Sequence, residues 1–139
     1  MTVVPMTQSH IAAVAALERT CFSDPWSESA LAEELTNPHA VFRVAAEGET
    51  VLGYAGMHHL VDEGFVTNVA VLPAARRRGV ARALLAELAA YGGQNRLTRI
   101  TLEVRVSNTP ARTLYESEGY TLDGIRPGFY SRPAEDVIP

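Results

Sequence analysis

Segments with the two-residue period of β-strands alternate along this chain with segments that have the apolar spacing of α-helices. The predicted order is two helices, three strands, a helix, a strand, a helix and a strand. An order of this kind, with connections of mixed direction, is typical of an α/β sheet covered by helices. The chain has 139 residues, of which 47% are hydrophobic, which is enough for one core. We therefore expect a single α/β domain over residues 1–139.

The predicted helices begin and end at capping or breaking residues. Ser27 is a good N-cap for the second helix, and Gly92 with Gly93 is expected to end the third. Thr109 is the predicted N-cap of the fourth helix, and Gly119 suits the position just past its end. The four helices are predicted over residues 11–22, from Ser27 to near Asn37, from Val80 to Gly92, and over residues 110–118.

The predicted strands are rich in β-branched and aromatic residues and lie between turn or proline residues. They cover residues 41–46, 50–60, 65–71, 99–104 and 120–126, and Val137-Ile138 is the only apolar pair in the tail that could begin a last strand. Within the fourth strand, apolar residues alternate with Thr101 and Glu103. Glu103 is therefore expected on the face of the sheet opposite Leu102.

Charge, cysteine content and hydropathy exclude several classes of protein. Sixteen acidic and twelve basic residues give a formal net charge of -4, which argues against holding nucleic acid or an anionic membrane by bulk charge. The one cysteine, Cys21, cannot form an internal disulfide or supply a thiolate zinc site. No signal peptide or membrane span is expected, because the apolar stretch 11–17 is only seven residues long. Together these features predict a cytoplasmic protein.

A basic segment, Arg76-Arg77-Arg78-Gly79-Val80-Ala81, connects a predicted strand to a predicted helix. The first amides of a helix lack internal partners and carry the positive end of the helix dipole, so they attract anions. Gly79 would let a phosphate approach the backbone closely. A solvated helix start is the commoner role of such a run, and one glycine is weaker evidence than a Gly-rich loop. The segment alone leaves both interpretations open.

Glu103 and Tyr115 are candidates for acid–base chemistry. Tyr115 lies twelve residues after Glu103, in the middle of the next predicted helix. A strand-to-helix return of that length can bring both side chains to the same end of the sheet. The alternative is an outward carboxylate on a half-exposed strand and a tyrosine packed along a helix, and residue type alone favours it.

Several segments, taken together, resemble the GNAT superfamily of N-acetyltransferases, and within it the RimI-like enzymes that acetylate bacterial ribosomal proteins. These segments are Asn68-Val69-Ala70-Val71, Arg76 to Ala81, Leu102-Glu103-Val104-Arg105, Asn108, and Leu114-Tyr115-Glu116-Ser117-Glu118-Gly119-Tyr120. Asp24-Pro25-Trp26-Ser27, Arg126 and Phe129-Tyr130 are similar to further RimI-like features. The resemblance covers nearly the whole chain. It implies a mixed, mostly antiparallel central sheet with splayed central strands and about four flanking helices.

The resemblance also implies an activity, transfer of acetyl from acetyl-CoA to the N-terminal α-amine of a protein by direct attack. The implied acceptor is an N-terminal alanine of a ribosomal protein, and no metal, membrane or direct nucleic-acid partner is implied. The implied residues for acetyl-CoA are Val69, Ala70 and Val71 for pantetheine, Arg76, Arg77, Arg78, Gly79, Val80, Ala81 and Arg82 for pyrophosphate, and Asn108. Glu103 matches the general base and Tyr115 the general acid. Because an ordinary carboxylate is a weak base, Glu103 is expected to be partly buried or to act through water.

Alternatives remain for the acceptor and for catalysis itself. A small-molecule amine or a lysine side chain could replace the N-terminal amine, since the fold fixes the donor more firmly than the acceptor. An acyl-CoA-binding or ribosome-associated module without catalysis is the non-enzymatic alternative, although it would have no evident use for Glu103 and Tyr115. Trp26 and Phe129-Tyr130 either line a peptide groove or only pack. Leu72 departs from the family pattern without affecting the implied pyrophosphate site, whereas the departures at Pro127-Gly128 and Phe129 leave the particular peptide open.

The remaining candidates for special chemistry are expected to be structural. His58 and His59 are successive strand residues, so they point to opposite faces and cannot chelate one metal together. Cys21 is expected to be a core or surface thiol, because direct transfer of an acyl group needs no nucleophile from the enzyme.

Overall fold

The structure is a computed structural model that describes residues 1–122 and 128–133. Its strands are β1 (Thr2–Pro5), β2 (Ala40–Glu47), β3 (Thr50–Leu60), β4 (Glu63–Val71), β5 (Arg99–Glu103), β6 (Thr121–Leu122) and β7 (Phe129–Pro133). Its helices are α1 (Ile11–Cys21), α2 (Glu28–Glu34), α3 (Val80–Gln94) and α4 (Thr109–Ser117), with 3-10 turns at Gln8–His10 and Pro73–Ala75. None of the helices in these two ranges combines the length and hydropathy that a membrane span requires.

Within the described ranges the strands form one seven-stranded sheet in the order β1-β2-β3-β4-β5-β7-β6. Neighbouring strands are antiparallel except β4 and β5, which are parallel. The prediction of a mixed, mostly antiparallel sheet with four helices is confirmed.

The parallel pair is short, and its strands separate along their length. Pairing joins Glu63, Gly64 and Phe65 of β4 to the first three residues of β5, and ends there in the described part of the chain. The remaining residues of β4 continue along β3. A gap therefore opens between β4 and β5 in the middle of the sheet, which is the expected splay of the central strands.

The sheet separates two apolar clusters. On one face, α3 contributes Leu84 and Leu88 to the larger cluster. On the other face, α1 contributes Val14 and α2 contributes Leu31, and both pack in the cluster that holds Tyr54 of β3. All five side chains are fully buried. The helices thus cover β3 and β4 with the apolar faces that the sequence predicts. Because helices pack on both sides of them, these two strands form a firmly held wall of the gap.

The end of α3 differs from the prediction, because the helix continues through Gly92 and Gly93 to Gln94. A glycine costs a helix interior about 1 kcal/mol relative to alanine. Gly92 is buried, and Asn95 Nδ2 donates to the Tyr91 carbonyl oxygen at 2.9 Å beyond the last turn. Close packing and this terminal hydrogen bond stabilise the extra turn against the glycine penalty.

The start of α4 also differs, because Asn108 and not Thr109 is its N-cap. The Asn108 Oδ1 atom accepts a hydrogen bond from the Ala111 amide at 3.2 Å. Asn and Thr are both good caps, and the choice between adjacent candidates depends on the backbone that precedes them. Pro110 lies in the first turn, as predicted.

Two strands are not predicted by the sequence. β1 is a four-residue edge strand that pairs with β2. β7 pairs with β5 and places Phe129 opposite Glu103, in a tail whose glycine and prolines argue against a strand. Gly128, at φ 82°, forms the turn before β7, and Pro133 is the last residue of the strand, where a missing amide costs little. The predicted strand 120–126 is present as β6, while its later part, Arg126 included, and the Val137-Ile138 pair lie outside the described residues.

Gly56 of β3 is required by a close approach of the Phe42 ring. A Cβ atom at this position would lie 2.5 Å from two ring carbons of Phe42, which is itself buried. We expect Gly56→Ala to lower the free energy of unfolding by about 1–3 kcal/mol, the usual cost of overpacking a core. Denaturant titration measures this loss, and an unchanged midpoint would contradict the packing described.

Candidate functional site

A cleft of about 370 Å³ opens where β4 and β5 separate. Its walls are residues 66–69 of β4 and residues 102–105, which begin in β5 and continue past its end. From one face of the sheet, the connection between α1 and α2 contributes Phe22, Asp24 and Trp26. From the other face, α4 and its N-cap contribute Ala111, Tyr115 and Asn108. Residues from both faces of the sheet thus line one cleft, which lies where the two strands separate.

Main-chain groups of β4 point into this gap. The Leu72 amide donates to the carbonyl oxygen of Leu52, a residue of β3, at 2.8 Å. Hydrogen-bonded and non-hydrogen-bonded pairs alternate along an antiparallel ladder, so Ala70 also bonds towards β3. Val69 and Val71 then direct their N–H and C=O groups away from β3. Of the residues that the resemblance assigns to pantetheine, Val69 and Val71 offer the gap main-chain partners, and Ala70 does not.

The turn before α3 has the shape of an anion site. Gly79 is the N-cap at φ 79°, in the left-handed region, and a Cβ atom there would meet nothing within 4 Å. Arg77 is also left-handed, at φ 65°. The Ala83 amide donates to the Gly79 carbonyl oxygen at 3.0 Å, so the preceding amides of Val80 to Arg82 belong to the unpartnered first turn of the helix. These amides and the positive helix end face open space beside Gly79.

Three arginines of the turn and the first helical turn have acidic or sulfur neighbours. Arg78 Nη2 lies 2.8 Å from Glu47 Oε2, and Arg82 Nε lies 3.6 Å from Glu118 Oε1. Arg76 Nη2 lies 3.8 Å from the Cys21 sulfur. Exposed ion pairs of this kind contribute about 0–1 kcal/mol, so they do not hold the side chains against a stronger anion. The two interpretations of the basic segment, a solvated helix start and a phosphate site, are therefore compatible in this structure.

Glu103 is the last residue of β5 and lies exposed on the cleft wall. Leu102 belongs to the cluster on the α3 face, so Glu103 points to the α1–α2 face, as the alternation predicts. The expected partial burial of Glu103 is therefore not observed, and solvent reaches its carboxylate.

Tyr115 of α4 packs against the cluster on the α3 face, with its ring 5.8 Å from that of Tyr120 at an edge-on angle of 69°. Burial raises the pKa of Tyr115 to about 12. The phenol is therefore protonated at neutral pH and can donate a hydrogen bond. Glu103 and Tyr115 approach from opposite faces of the sheet, and both line the same cleft because the strands separate between them.

A buried polar chain behind the cleft was not predicted. Glu18 of α1 is 1% exposed, and its two oxygens accept hydrogen bonds from the Trp26 amide at 2.9 Å and from the Tyr54 hydroxyl at 2.7 Å. The sequence carried a signal for it, because Ile11, Val14 and Glu18 share one helical face and a carboxylate on an apolar face needs partners. Through this chain α1 holds the connection that lines the cleft.

The aromatic candidates have different positions. Trp26 lines the cleft and also packs beside Phe42, with ring centres 6.3 Å apart. Tyr130 is 4% exposed, and its hydroxyl oxygen accepts a hydrogen bond from Arg112 at 3.2 Å, so it packs in the core. Phe129 is half-buried in β7 opposite Glu103.

The histidines and the cysteine occupy separate places. His58 Nε2 lies 2.9 Å from Glu34 Oε2, whereas His59 Nδ1 lies 2.7 Å from the Tyr91 hydroxyl of α3 on the opposite face of the sheet. Over residues 1–122 and 128–133, no group of three or more His, Cys, Asp or Glu side chains is arranged to hold a metal. Cys21 is half-buried, 3.5 Å from the Val71 carbonyl oxygen.

Comparison with known proteins agrees with this geometry. Residues 11–120 match the model of a family described as Acetyltransferase (GNAT) family. N-alpha-acetyltransferase RimI of Mycobacterium tuberculosis is 36% identical over 145 residues, which cover 99% of this chain and 89% of that protein. The [Ribosomal protein bS18]-alanine N-acetyltransferase of Escherichia coli K12 is 30% identical over 129 residues, which cover 93% and 86%.

Solved structures show the same architecture. The crystal structure of the ribosomal-protein-S18-alanine N-acetyltransferase from Escherichia coli superposes with a TM-score of 0.86 at 26% identity, covering 98% of this chain and 95% of that one. The PaiA N-acetyltransferase from Thermoplasma acidophilum, in complex with coenzyme A, gives 0.83 at 13% identity, covering 95% and 98%. At that identity the second likeness concerns the fold alone.

Proposed function

The chain belongs to the acetyltransferase (GNAT) family, and we propose that it transfers acetyl from acetyl-CoA to the N-terminal α-amine of a protein. The proposed acceptor is the N-terminal alanine of a small-subunit ribosomal protein. The observation that carries the proposal is the cleft between β4 and β5, which Glu103 lines from one face and Tyr115 from the other. The relatives named for acetylation of ribosomal protein bS18 support this acceptor. The proposed place of action is the cytoplasm.

The residues around the gap fit the parts of acetyl-CoA. The amides of residues 77–82 suit its diphosphate, because a helix N-terminus with a left-handed glycine offers unpaired donors in open space. The main chain of Val69 and Val71 suits the amides of pantetheine. Asn108 Oδ1 accepts from the Ala111 amide, and its amide nitrogen keeps two N–H donors for the proposed contact with acetyl-CoA.

Glu103 would prepare the amine for attack. An N-terminal amine has a reference pKa of about 7.7–8.0, so near pH 7 it is largely an ammonium without a free electron pair. The exposed carboxylate can accept that proton through a water molecule, and it lines the cleft together with the α1–α2 connection. No covalent intermediate with the enzyme is needed.

Main-chain amides and Tyr115 would stabilise the negative charges that form on the carbonyl oxygen and on the leaving sulfur. An amide of the Val69–Val71 segment can donate to the carbonyl oxygen as it becomes negative. The Tyr115 phenol can donate a hydrogen bond to the leaving sulfur. With a pKa of about 12 against about 8.5 for an alkyl thiol, full proton transfer is uphill, so the phenol stabilises the thiolate mainly by this bond.

A thiol-release assay tests the acceptor. The protein is mixed with acetyl-CoA and a hexapeptide that begins Ala-Arg, and free thiol is followed. We expect release with this peptide and none with the same peptide blocked at its N-terminus. Release with polyamines or aminoglycosides alone would support a small-molecule acceptor. Tight binding of acetyl-CoA without any release would support a binding module.

Substitution of Gly79 tests the diphosphate site. A side chain there would occupy the open space in which the phosphate is proposed to lie. We expect Gly79→Ala and Gly79→Asn each to weaken acetyl-CoA binding by about tenfold or more, which is 1.4 kcal/mol. Asn tolerates the left-handed backbone better than Ala, so the Asn variant should lose less stability. Calorimetric titration measures the affinity, and wild-type affinity in both variants would contradict this site.

A further inference from the structure

The connection between α1 and α2 is joined to the rest of the chain by few main-chain hydrogen bonds. Pro25 has no N–H, and over residues 23–26 of the described chain the Trp26 amide is the one that has a hydrogen-bond partner. That partner is Glu18 Oε1 of α1, at 2.9 Å. The connection still lines the cleft, through Asp24 and Trp26. Its place on the cleft therefore depends on Glu18.

Glu18 is itself fixed from behind by β3. Its other oxygen, Oε2, accepts a hydrogen bond from the Tyr54 hydroxyl at 2.7 Å. Glu18 is 1% exposed and Tyr54 is fully buried. Because each carboxylate oxygen has a donor of its own in a buried site, turning the carboxylate away would leave buried polar groups without partners. The bond from Tyr54 therefore fixes the oxygen that holds Trp26.

A carboxylate is a costly residue at this position of α1. The residues around it on the same helix, Ile11, Val14 and Ala15, are buried and apolar. An apolar side chain at position 18 would pack there without the penalty of removing a charge from water. What the carboxylate adds is its two hydrogen bonds, and one of them leads to the wall of the cleft.

The Trp26 ring rests on the same part of the sheet. Its centre lies 6.3 Å from that of Phe42 of β2, and the Phe42 ring lies 6.3 Å from that of Tyr54, stacked at 29°. Gly56 allows the Phe42 ring its close approach to β3. The main chain of Trp26 and its ring are thus both held by contacts that lead to Tyr54.

This wall lies on the acceptor side of the cleft. Glu103, the proposed base for the amine, points to the α1–α2 face, where the connection lies. The groups proposed for acetyl-CoA are the main chain of Val69 and Val71 in β4 and the amides of residues 77–82 before and in α3. Those groups are held by the sheet and by α3. A shift of the connection should therefore affect the acceptor more than the donor.

We propose that Glu18, fixed by Tyr54, is a positioning residue that holds the α1–α2 connection as a preformed wall for the N-terminal residues of the acceptor. The inference rests on the proposed function and names the part of the fold that presents its acceptor. Glu18 is too deeply buried to touch the peptide, so its effect passes through the main chain of Trp26. A wall that is already in place lowers the entropy lost when the peptide binds.

Trp26 is the only tryptophan in the chain, so its fluorescence reports the position of the connection directly. Quenching by acrylamide, with excitation selective for tryptophan, is compared in the wild type, Glu18→Leu and Glu18→Gln. Leu is close to Glu in volume and cannot accept the Trp26 amide, so quenching should increase about twofold, as for a segment that opens locally. Gln can still accept that amide through Oε1 and donate to the Tyr54 oxygen through Nε2, so it should stay close to the wild type.

Steady-state kinetics with the Ala-Arg hexapeptide test the consequence for the acceptor. Glu18→Leu should raise the KM for the peptide about tenfold, the effect of losing a hydrogen bond to a charged group. Its kcat should change less than about threefold, as for a loss of binding that is equal in the ground and transition states, and acetyl-CoA affinity should stay within about twofold. Glu18→Gln should recover most of the lost KM.

Glu34→Leu is the matched control. Glu34 is a largely buried carboxylate of α2 that lies outside the cleft, with Oε2 2.9 Å from His58 Nε2 of β3. Its replacement also removes a contact between a helix and β3, and it does not touch the Trp26 amide. We expect this variant to keep the wild-type quenching and the wild-type KM for the peptide.

Wild-type quenching and peptide KM in a folded Glu18→Leu protein would overturn the proposal. Equal losses of peptide and acetyl-CoA binding, or the same losses in Glu34→Leu, would also overturn it, because the effect would then be general. If Glu18→Leu does not fold, Tyr54→Phe decides, and it should raise quenching and peptide KM about threefold. If the wild type acetylates a polyamine and no peptide, the acceptor assignment fails, while quenching and the KM for the polyamine still decide the role of Glu18.

Discussion

Replacing Glu103 by Gln is expected to lower kcat/KM for an N-terminal peptide about 100- to 1,000-fold at neutral pH, within the range usual for loss of a general base. The amide keeps the shape of the carboxylate at the end of β5 and cannot accept the proton of the amine. The variant must then depend on the fraction of amine that is already unprotonated. Its rate should rise about tenfold per pH unit up to about pH 8, so the loss is largest at low pH.

A pH profile of both proteins, with the rate of thiol release as the readout, checks this result. Glu87→Gln is the matched control, because it removes an exposed carboxylate from α3 outside the cleft. We expect the control to follow the wild type at every pH. A Glu103→Gln protein that loses the same small factor across the range would show that Glu103 is not the base.

Replacing Tyr115 by Phe is expected to lower kcat about 100-fold while the affinity for coenzyme A stays within about twofold. The ring keeps its edge contact with Tyr120, and only the hydroxyl of this cleft-lining residue is lost. Because burial raises the pKa of Tyr115 to about 12, ionisation of this phenol should cause no fall in the wild-type rate below about pH 11. The pKa moves upwards because burial penalises the charged form of the phenol. The buried phenol therefore keeps its proton at a pH at which an exposed tyrosine has begun to lose it.

Single-turnover rates and calorimetric titration together separate the two quantities. Tyr91→Phe is the control, since it removes a tyrosine hydroxyl that contacts His59 away from the cleft. Wild-type turnover in the Tyr115→Phe protein would contradict the proposed hydrogen bond from Tyr115 to the leaving sulfur. A large loss of coenzyme A affinity with unchanged kcat would instead give Tyr115 a role in binding.

The fold could be predicted where periodicity and breakers agree. The bounds of β3 and the cap at Ser27 follow from local sequence alone. The prediction was wrong where tertiary contacts outweigh local preference, as at buried Gly92, which α3 includes. β7 was missed because it gains its hydrogen bonds from β5, a partner that local composition does not reveal.

The candidate site could be predicted in part. The resemblance named Glu103 and Tyr115, and the alternation of β5 gave the face of Glu103. The sequence could not show that the two side chains approach one cleft from opposite faces, because that depends on where the pairing of β4 and β5 stops. Nor could it show the partners of Glu18, which come from the α1–α2 connection and from β3.

A crystal structure of the protein with coenzyme A tests the central claim most directly. We expect the diphosphate on the amides of residues 77–82, pantetheine along Val69 and Val71, and the sulfur in contact with the Tyr115 hydroxyl. Glu103 should face the sulfur from the other side of the sheet. Coenzyme A bound outside the gap between β4 and β5, or a sulfur remote from Tyr115, would contradict the account.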